Sequence, residues 1–363
     1  MSGCLRPLAS ILKISPYVGG DVTPIGMTRR IVLASNENPF GAPPEVAHSL
    51  SQLSDQIHRY PSGCATDLKD KISAFYQIPA SQILCGNGSE EILHLLARAY
   101  VSEPGDEIML PQYGFGVYKI AALSVGAVPI EFPRVDFQLN VSEILFRVTS
   151  KTKIIYIDNP GNPIGTYLTA SQIAELLKAL PKSVLLVIDS AYAEYLSDVP
   201  DYEDAMSFVD QHENLVVTRT FSKIFGMAGL RLGWCYTNHK VIDVLNRIRA
   251  PFNVSVAAQY AGIAALSNAS WVEKSHQHNR LLSEWFKEQL TELGLVTIPC
   301  WSNFALVKFS NAHAVYQYLG RRGIIVRPMT SYNLPEYIRI SIGLEEEMRE
   351  LTSLLREITD LSI

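Results

Sequence analysis

Thr220-Phe-Ser-Lys-Ile-Phe-Gly-Met-Ala-Gly-Leu-Arg-Leu-Gly-Trp234 follows the apolar run Leu215-Val-Val-Thr218 in a chain of 363 residues. The run reads as a buried strand and the glycine-bearing stretch after it as a loop. Ser222 and Lys223 therefore stand just past a strand end, with Arg231 eight residues beyond the lysine. A side-chain amine is a nucleophile for an aldehyde. Hydroxyls and a guanidinium are what a phosphate needs. An isolated Ser-Lys pair is more often a surface lysine in a loop. The strand–loop context and the spacing to Arg231 favour the chemical reading.

Outward from this stretch, further apolar runs alternate with helical patterns. Glu107–Leu110, Lys153–Ile157 and Val184–Ile188 are predicted strands; Ser89–Val101, Thr169–Leu180 and Val256–Leu266 are predicted helices. This order implies an α/β fold with right-handed crossovers and a mostly parallel sheet flanked by helices. Ligands of such sheets bind beyond the carboxyl ends of the strands. After Trp271 the pattern changes. A long amphipathic helix over Val272–Leu293 leads to strands at Phe304–Lys308, Ile324–Arg327 and Tyr337–Ile342, and a last helix begins at Glu345. We expect an N-terminal segment (1–40), a large sheet domain (41–260) and a smaller α+β domain (261–363) joined by the N-terminal segment.

Several polar residues fall at the predicted strand ends. Asp189 closes Val184-Leu-Leu-Val-Ile188, with Tyr192 three residues on. A carboxylate there can pair with a protonated pyridine nitrogen, and a nearby phenol can bond a ring oxygen. A strand-end aspartate is equally often a helix cap or a metal ligand. Asn162 sits in the turn Asn159-Pro-Gly-Asn-Pro-Ile-Gly165, where asparagine is also common for backbone reasons. Cys85-Gly-Asn-Gly-Ser-Glu-Glu91 opens a helix. Gly88 and Ser89 would set backbone N–H groups and a hydroxyl around an anion, although Ser89 with Glu90 and Glu91 also reads as plain N-capping. It is not a dinucleotide fingerprint, since Glu91 stands where the third glycine belongs. Tyr113, after Glu107–Leu110, could lie against a flat ring or pack in the core. Arg327 and Arg339 could clamp an anion or form ordinary surface ion pairs.

Composition narrows the function classes. Net charge is −5, and no lysine/arginine stripe stands out, so a nucleic-acid partner is not expected. The five cysteines are scattered and odd in number, which points to a reducing compartment. No signal peptide is read at the start, and a cytoplasmic protein is expected. The charge-free stretch Ala250–Val272 is broken by polar residues and reads as a buried helix, not a membrane span. His276 and His278 do not share a helix face, so they read as solvated positions and no metal site is expected.

Taken together, these pieces resemble the fold-type I pyridoxal-phosphate-dependent aminotransferases, most closely the histidinol-phosphate aminotransferases. The resemblance spans nearly the whole chain, from Ser35-Asn-Glu-Asn-Pro-Phe-Gly41 and Arg59-Tyr-Pro61 to Tyr337-Ile-Arg-Ile-Ser-Ile-Gly343. It implies that Lys223 carries pyridoxal 5'-phosphate as a Schiff base. Gly88, Ser89, Glu90, Thr220, Ser222 and Arg231 would then surround the phosphate. Tyr113 would stack on the ring, Asp189 face its nitrogen, and Asn162 and Tyr192 its 3′ oxygen. Tyr60 would reach the cofactor of a second subunit, which implies a homodimer. Tyr17, Asn36, Arg327 and Arg339 would hold the substrate. The implied partners are a small-molecule amino donor and a 2-oxo acid: histidinol phosphate and 2-oxoglutarate, in histidine biosynthesis. An aromatic-amino-acid aminotransferase or a threonine-phosphate decarboxylase would share every cofactor residue. A non-catalytic sensor of the same fold is a remote alternative. The chain departs from the family's pattern at Gly161, Ile164 and Ser190.

Overall fold

Strands buried on both faces run apolar without alternation, and the central strands here do so. The computed structural model describes residues 6–16 and 30–360. Seven strands form the large sheet: β1 (Ile83–Gly86), β2 (Glu107–Pro111), β3 (Val128–Phe132), β4 (Thr152–Asp158), β5 (Leu185–Asp189), β6 (Leu215–Thr220) and β7 (Gly233–Thr237). Their order is β1-β7-β6-β5-β4-β2-β3. All run parallel except β7, which is antiparallel to both of its neighbours. Along β4, Ile155 and Ile157 enter one apolar core while Ile154 and Tyr156 enter the other, so a core layer covers each face. Helices α1 (Ser89–Tyr100), α2 (Val117–Ser124) and α3 (Ala170–Ala179) follow β1, β2 and β4. A capping box between Thr169 and Gln172 starts α3.

The charge-free stretch Ala250–Val272 is not one helix. Helix α4 (Val256–Ala265) ends, and α5 (Ala269–Glu292) starts afresh where the Asn268 side chain accepts from Trp271 N at 3.1 Å. Among the described residues no helix is long and apolar enough to cross a membrane. A second, antiparallel sheet contains β8 (Val296–Ile298), β9 (Phe304–Lys308), β10 (Arg327–Pro328) and β11 (Tyr337–Ser341), in the order β8-β9-β11-β10. Its own core takes Leu282 and Phe286 of α5, Leu351 and Leu355 of α6 (Glu345–Asp360), and Ile31 and Leu33.

The strand expected over Ile324–Arg327 is two. Ile324–Ile325 pairs in parallel with Ile31–Val32, whereas Arg327–Pro328 pairs with β11. The break falls at Val326, where the chain leaves one partner strand for the other. The histidines expected in solvent are not there either. His276 is buried 3.2 Å from Asp198, and His278 bonds the Gly343 carbonyl at 2.9 Å while packing on Phe40.

Candidate active site

The parallel strands end along one edge, and Gly86, Asp158, Asp189 and Thr220 all reach it. A cavity of 120 Å³ opens there, lined among others by Ser89, Asn162, Asp189, Tyr192, Lys223 and Arg231. Asp189 Oδ1 accepts from Thr218 Oγ1 and Oδ2 from the Tyr118 phenol, both at 3.0 Å. Burial pushes the carboxyl up to about 6; the two donors oppose that rise. Lys223 Nζ donates to the Ser35 carbonyl at 3.1 Å and stands 5.7 Å from the Tyr192 ring centre. Burial first, and Arg339 next, bring its ammonium down to about 8. The cavity thus pairs an amine that is easily neutralised with a carboxylate that stays charged near neutrality.

One end of the cavity is built for an anion. Gly88 (φ +79°) is the N-cap of α1 and supplies no side chain to its first turn, so the leading N–H groups stay open. Capping by Glu91 does not occur, because its carboxylate accepts from Asn87 N and Asn253 Nδ2 instead. A Cβ on Gly88 would lie 2.7 Å from Arg231 Nη2, and one on Gly233 only 2.2 Å from Ser89 N. Those two glycines let the helix start, the guanidinium and β7 crowd together. Arg231 donates to Ser222 Oγ at 3.3 Å and lies 3.8 Å from the Glu90 carboxylate. Thr220 Oγ1 accepts from Ser222 N at 3.0 Å, which fixes the loop.

At the other end, the Asn162 turn hangs on a buried pair. Arg134 meets Asp158 at 3.0 Å, and Asp158 accepts from Asn162 N at 2.9 Å. Arg339 Nη1 donates to Asn162 Oδ1 at 2.6 Å. A guanidinium can only donate, so this contact turns the Asn162 NH₂ group away from Arg339. Gly161 suits its place, since a Cβ there would come within 3.0 Å of Arg134. Ile164 is buried beside Leu306 and Met329. Ser190, the third departure, is fully buried with no hydrogen-bond partner for its hydroxyl.

Not every expected residue meets Lys223. Tyr113 tilts against Phe137 at 6.2 Å and lines a neighbouring cavity of 760 Å³, shared with Arg327 and Tyr332. Phe115 borders both cavities and Tyr118 lines the smaller one. These aromatics, Thr218, and the Arg134–Asp158 pair were missed by sequence reasoning. Thr218 was readable, because it shares a strand face with Thr220. Arg327 and Arg339 are cross-strand partners on β10 and β11. Tyr60 is 82% exposed and stacks on Phe252 at 4.6 Å. Tyr17 lies outside the described residues. Asn36, expected to hold the substrate, meets the site through Tyr192. Asn36 is 1% exposed; its Nδ2 donates to the Tyr192 oxygen at 2.9 Å, and its backbone N donates to Ser341 Oγ at 2.8 Å. In this arrangement it braces the Tyr192 phenol.

A family model described as aminotransferase class I and II matches residues 28–355. A histidinol-phosphate aminotransferase of Rhodospirillum centenum is 45% identical over 359 residues, 98% of each chain. That of Paramagnetospirillum magneticum is 43% identical over 97% of this chain and 98% of its own. The solved histidinol-phosphate aminotransferase of Sinorhizobium meliloti, in complex with pyridoxal-5'-phosphate, matches with a TM-score of 0.89 at 25% identity, both chains being covered in full.

Proposed function

The chain belongs to the aminotransferase class I and II family, and from that premise we propose that it moves an amino group between L-histidinol phosphate and 2-oxoglutarate. The observation that carries this reading is one cavity holding Lys223, Asp189 and the Arg231–α1 anion cradle together. These groups fit pyridoxal phosphate: an amine for its aldehyde, a buried carboxylate for its ring nitrogen, and open N–H groups with a guanidinium for its phosphate. When bound, the cofactor supplies an aldehyde that captures the amino group and a ring that withdraws electrons from the donor's Cα.

The chain's residues do the rest. Gly88, Ser89, Glu90, Thr220, Ser222 and Arg231 seat the phosphate, the contact at Glu90 being its backbone N–H. Asp189 keeps a negative charge facing the ring nitrogen. The Asn162 NH₂ group and the Tyr192 hydroxyl bind the ring's 3′ oxygen. Lys223 Nζ, made easier to deprotonate by its buried setting, would take the Cα proton of the donor and give it back at the carbon on the far side of the amino nitrogen. Tyr113, and Phe115 beside it, bound the space on the side of the larger cavity. Tyr60 fits contact with the active site of a second copy in a homodimer, being exposed on a firm aromatic base. We assign 41–260 to the large domain and 261–363 to the small one, with 1–40 packing on the latter; the shared core of Ile31, Leu33 and Val307 supports this. Free thiols at Cys64, Cys85, Cys235 and Cys300 suit the cytoplasm.

The assay is direct. The purified chain loaded with pyridoxal phosphate should lose its visible absorption faster with histidinol phosphate than with phenylalanine, and 2-oxoglutarate should restore it. Faster loss with phenylalanine, or release of carbon dioxide from threonine phosphate without a keto acid, would sink the proposal.

Both substrates carry an anionic end, a phosphate in one and a carboxylate in the other. Arg327 and Arg339 stand in register on neighbouring strands, and the proposal extends to their sharing one anion. Arg339→Ala is expected to raise KM for both substrates roughly 10- to 100-fold, the worth of a charge-assisted hydrogen bond. Unchanged KM values would end the shared-clamp reading.

A further inference from the structure

Tyr118 has no role in the account above. It is fully buried on α2, and its phenol donates to Asp189 Oδ2 at 3.0 Å. Its ring stacks on Tyr156 at 5.1 Å and 11°, and Phe115 meets it edge-on at 5.8 Å. Tyr156 is pinned in turn by a bond to the Leu93 carbonyl at 2.7 Å. The phenol is therefore held on its target by packing. Thr218 Oγ1 supplies the matching donor to Asp189 Oδ1 from the neighbouring strand. Each carboxylate oxygen has one fixed donor.

Resting on the cofactor assignment above, we propose that Tyr118 is a positioning residue: with Thr218 it holds the Asp189 carboxylate fixed and charged for the cofactor's ring nitrogen. The groups around Asp189 oppose one another. Asp158, in register on β4, disfavours its charge and is itself paired with Arg134; Lys223 favours it. Tyr192 lies near as a neutral phenol pushed above its usual range by burial. Tyr118 stays protonated, because burial and the Asp189 charge push its phenol well up. It is thus a permanent donor. A donor to a carboxylate stabilises the charged form, and its removal raises the pH at which the carboxyl takes up a proton.

The test is the affinity of the full chain for pyridoxal phosphate, measured by fluorescence from roughly pH 5 to pH 9. Tyr118→Phe keeps the ring and removes only the hydroxyl. Wild-type binding should weaken as pH falls through the Asp189 titration. In Tyr118→Phe that fall should begin about one pH unit higher, giving roughly fivefold weaker binding near pH 6 and equal binding at the alkaline end. Thr218→Val removes the other donor and should move the curve the same way, which decides the matter if Tyr118→Phe does not fold. Curves that keep the wild-type midpoint, or weaken equally at every pH, overturn the proposal and leave the cofactor assignment standing. A wild-type chain that binds no pyridoxal phosphate overturns that assignment itself.

Discussion

Lys223→Ala is expected to cut turnover by on the order of 10⁴-fold or more while leaving pyridoxal phosphate bound. Two losses combine. The amine that joins the cofactor's aldehyde is gone, and so is the base for the Cα proton, a role worth about 10²- to 10⁴-fold by itself. The anion cradle of Ser89, Ser222 and Arg231 is untouched, so binding should weaken far less than turnover. Lys223→Arg should be no better, since a guanidinium stays charged and cannot accept the proton. The pH response follows from the buried setting of the ammonium. Only the neutral amine reacts, and its share grows as pH rises through the pKa. Covalent capture of the cofactor by the wild-type chain should therefore speed up towards about pH 8 and level off above it, in line with the value to which burial lowers Lys223. Single-turnover absorbance measurements follow both effects. Turnover of Lys223→Ala within tenfold of wild type would remove Lys223 from the chemistry.

Arg219→Met is expected to lower stability by about 3–5 kcal/mol, the usual cost of breaking a buried ion pair from one side. Arg219 is 2% exposed, between Thr218 and Thr220 on β6 but facing the other way. Its guanidinium pairs with Glu194 at 2.8 Å and with Asp204, and lies 5.5 Å from the Tyr76 ring centre. Tyr76 also donates to Glu194 at 2.9 Å. Methionine fills the space but leaves Glu194 facing a phenol with no cation. Arg219→Met combined with Glu194→Gln should recover part of the loss, because the stranded charge is gone. Urea denaturation of the single and double variants measures this; a loss under 1 kcal/mol in the single variant would mean the network is energetically idle.

The sheet was legible because of how parallel strands are buried. Val184-Leu-Leu-Val-Ile188 has no polar face, and the first polar residue after it, Asp189, had to lie at the sheet's edge. Lys223, Ser222 and Thr220 were reached instead through the glycine-bearing loop after Leu215–Thr218 and the spacing to Arg231. What stayed hidden depends on how separate elements turn towards one another. Tyr118 sits on a short, mostly apolar helix, and nothing local says that its hydroxyl finds Asp189. Asn36 carries a motif that says it matters, yet only the packing of β11 shows that it is covered. Tyr113 and Phe115 are two residues apart in an irregular turn, where neither helical nor strand periodicity assigns their directions. The split at Ile325–Arg327 reflects a change of partner strand, which one-dimensional hydrophobicity does not record.

Asn36 ties Tyr192 to Ser341, and Asn303 Nδ2 holds the Asn36 carbonyl at 2.9 Å. Three distant stretches of chain are thus linked to the phenol of a fourth, with Asn36 as the direct contact. The core under the large sheet itself draws on Ala258, Ala261, Ala265 and Phe304, which follow β7 in the chain. A translation product stopped short of residue 337 would lack Ser341, the far end of the brace that runs through Asn36 to Tyr192.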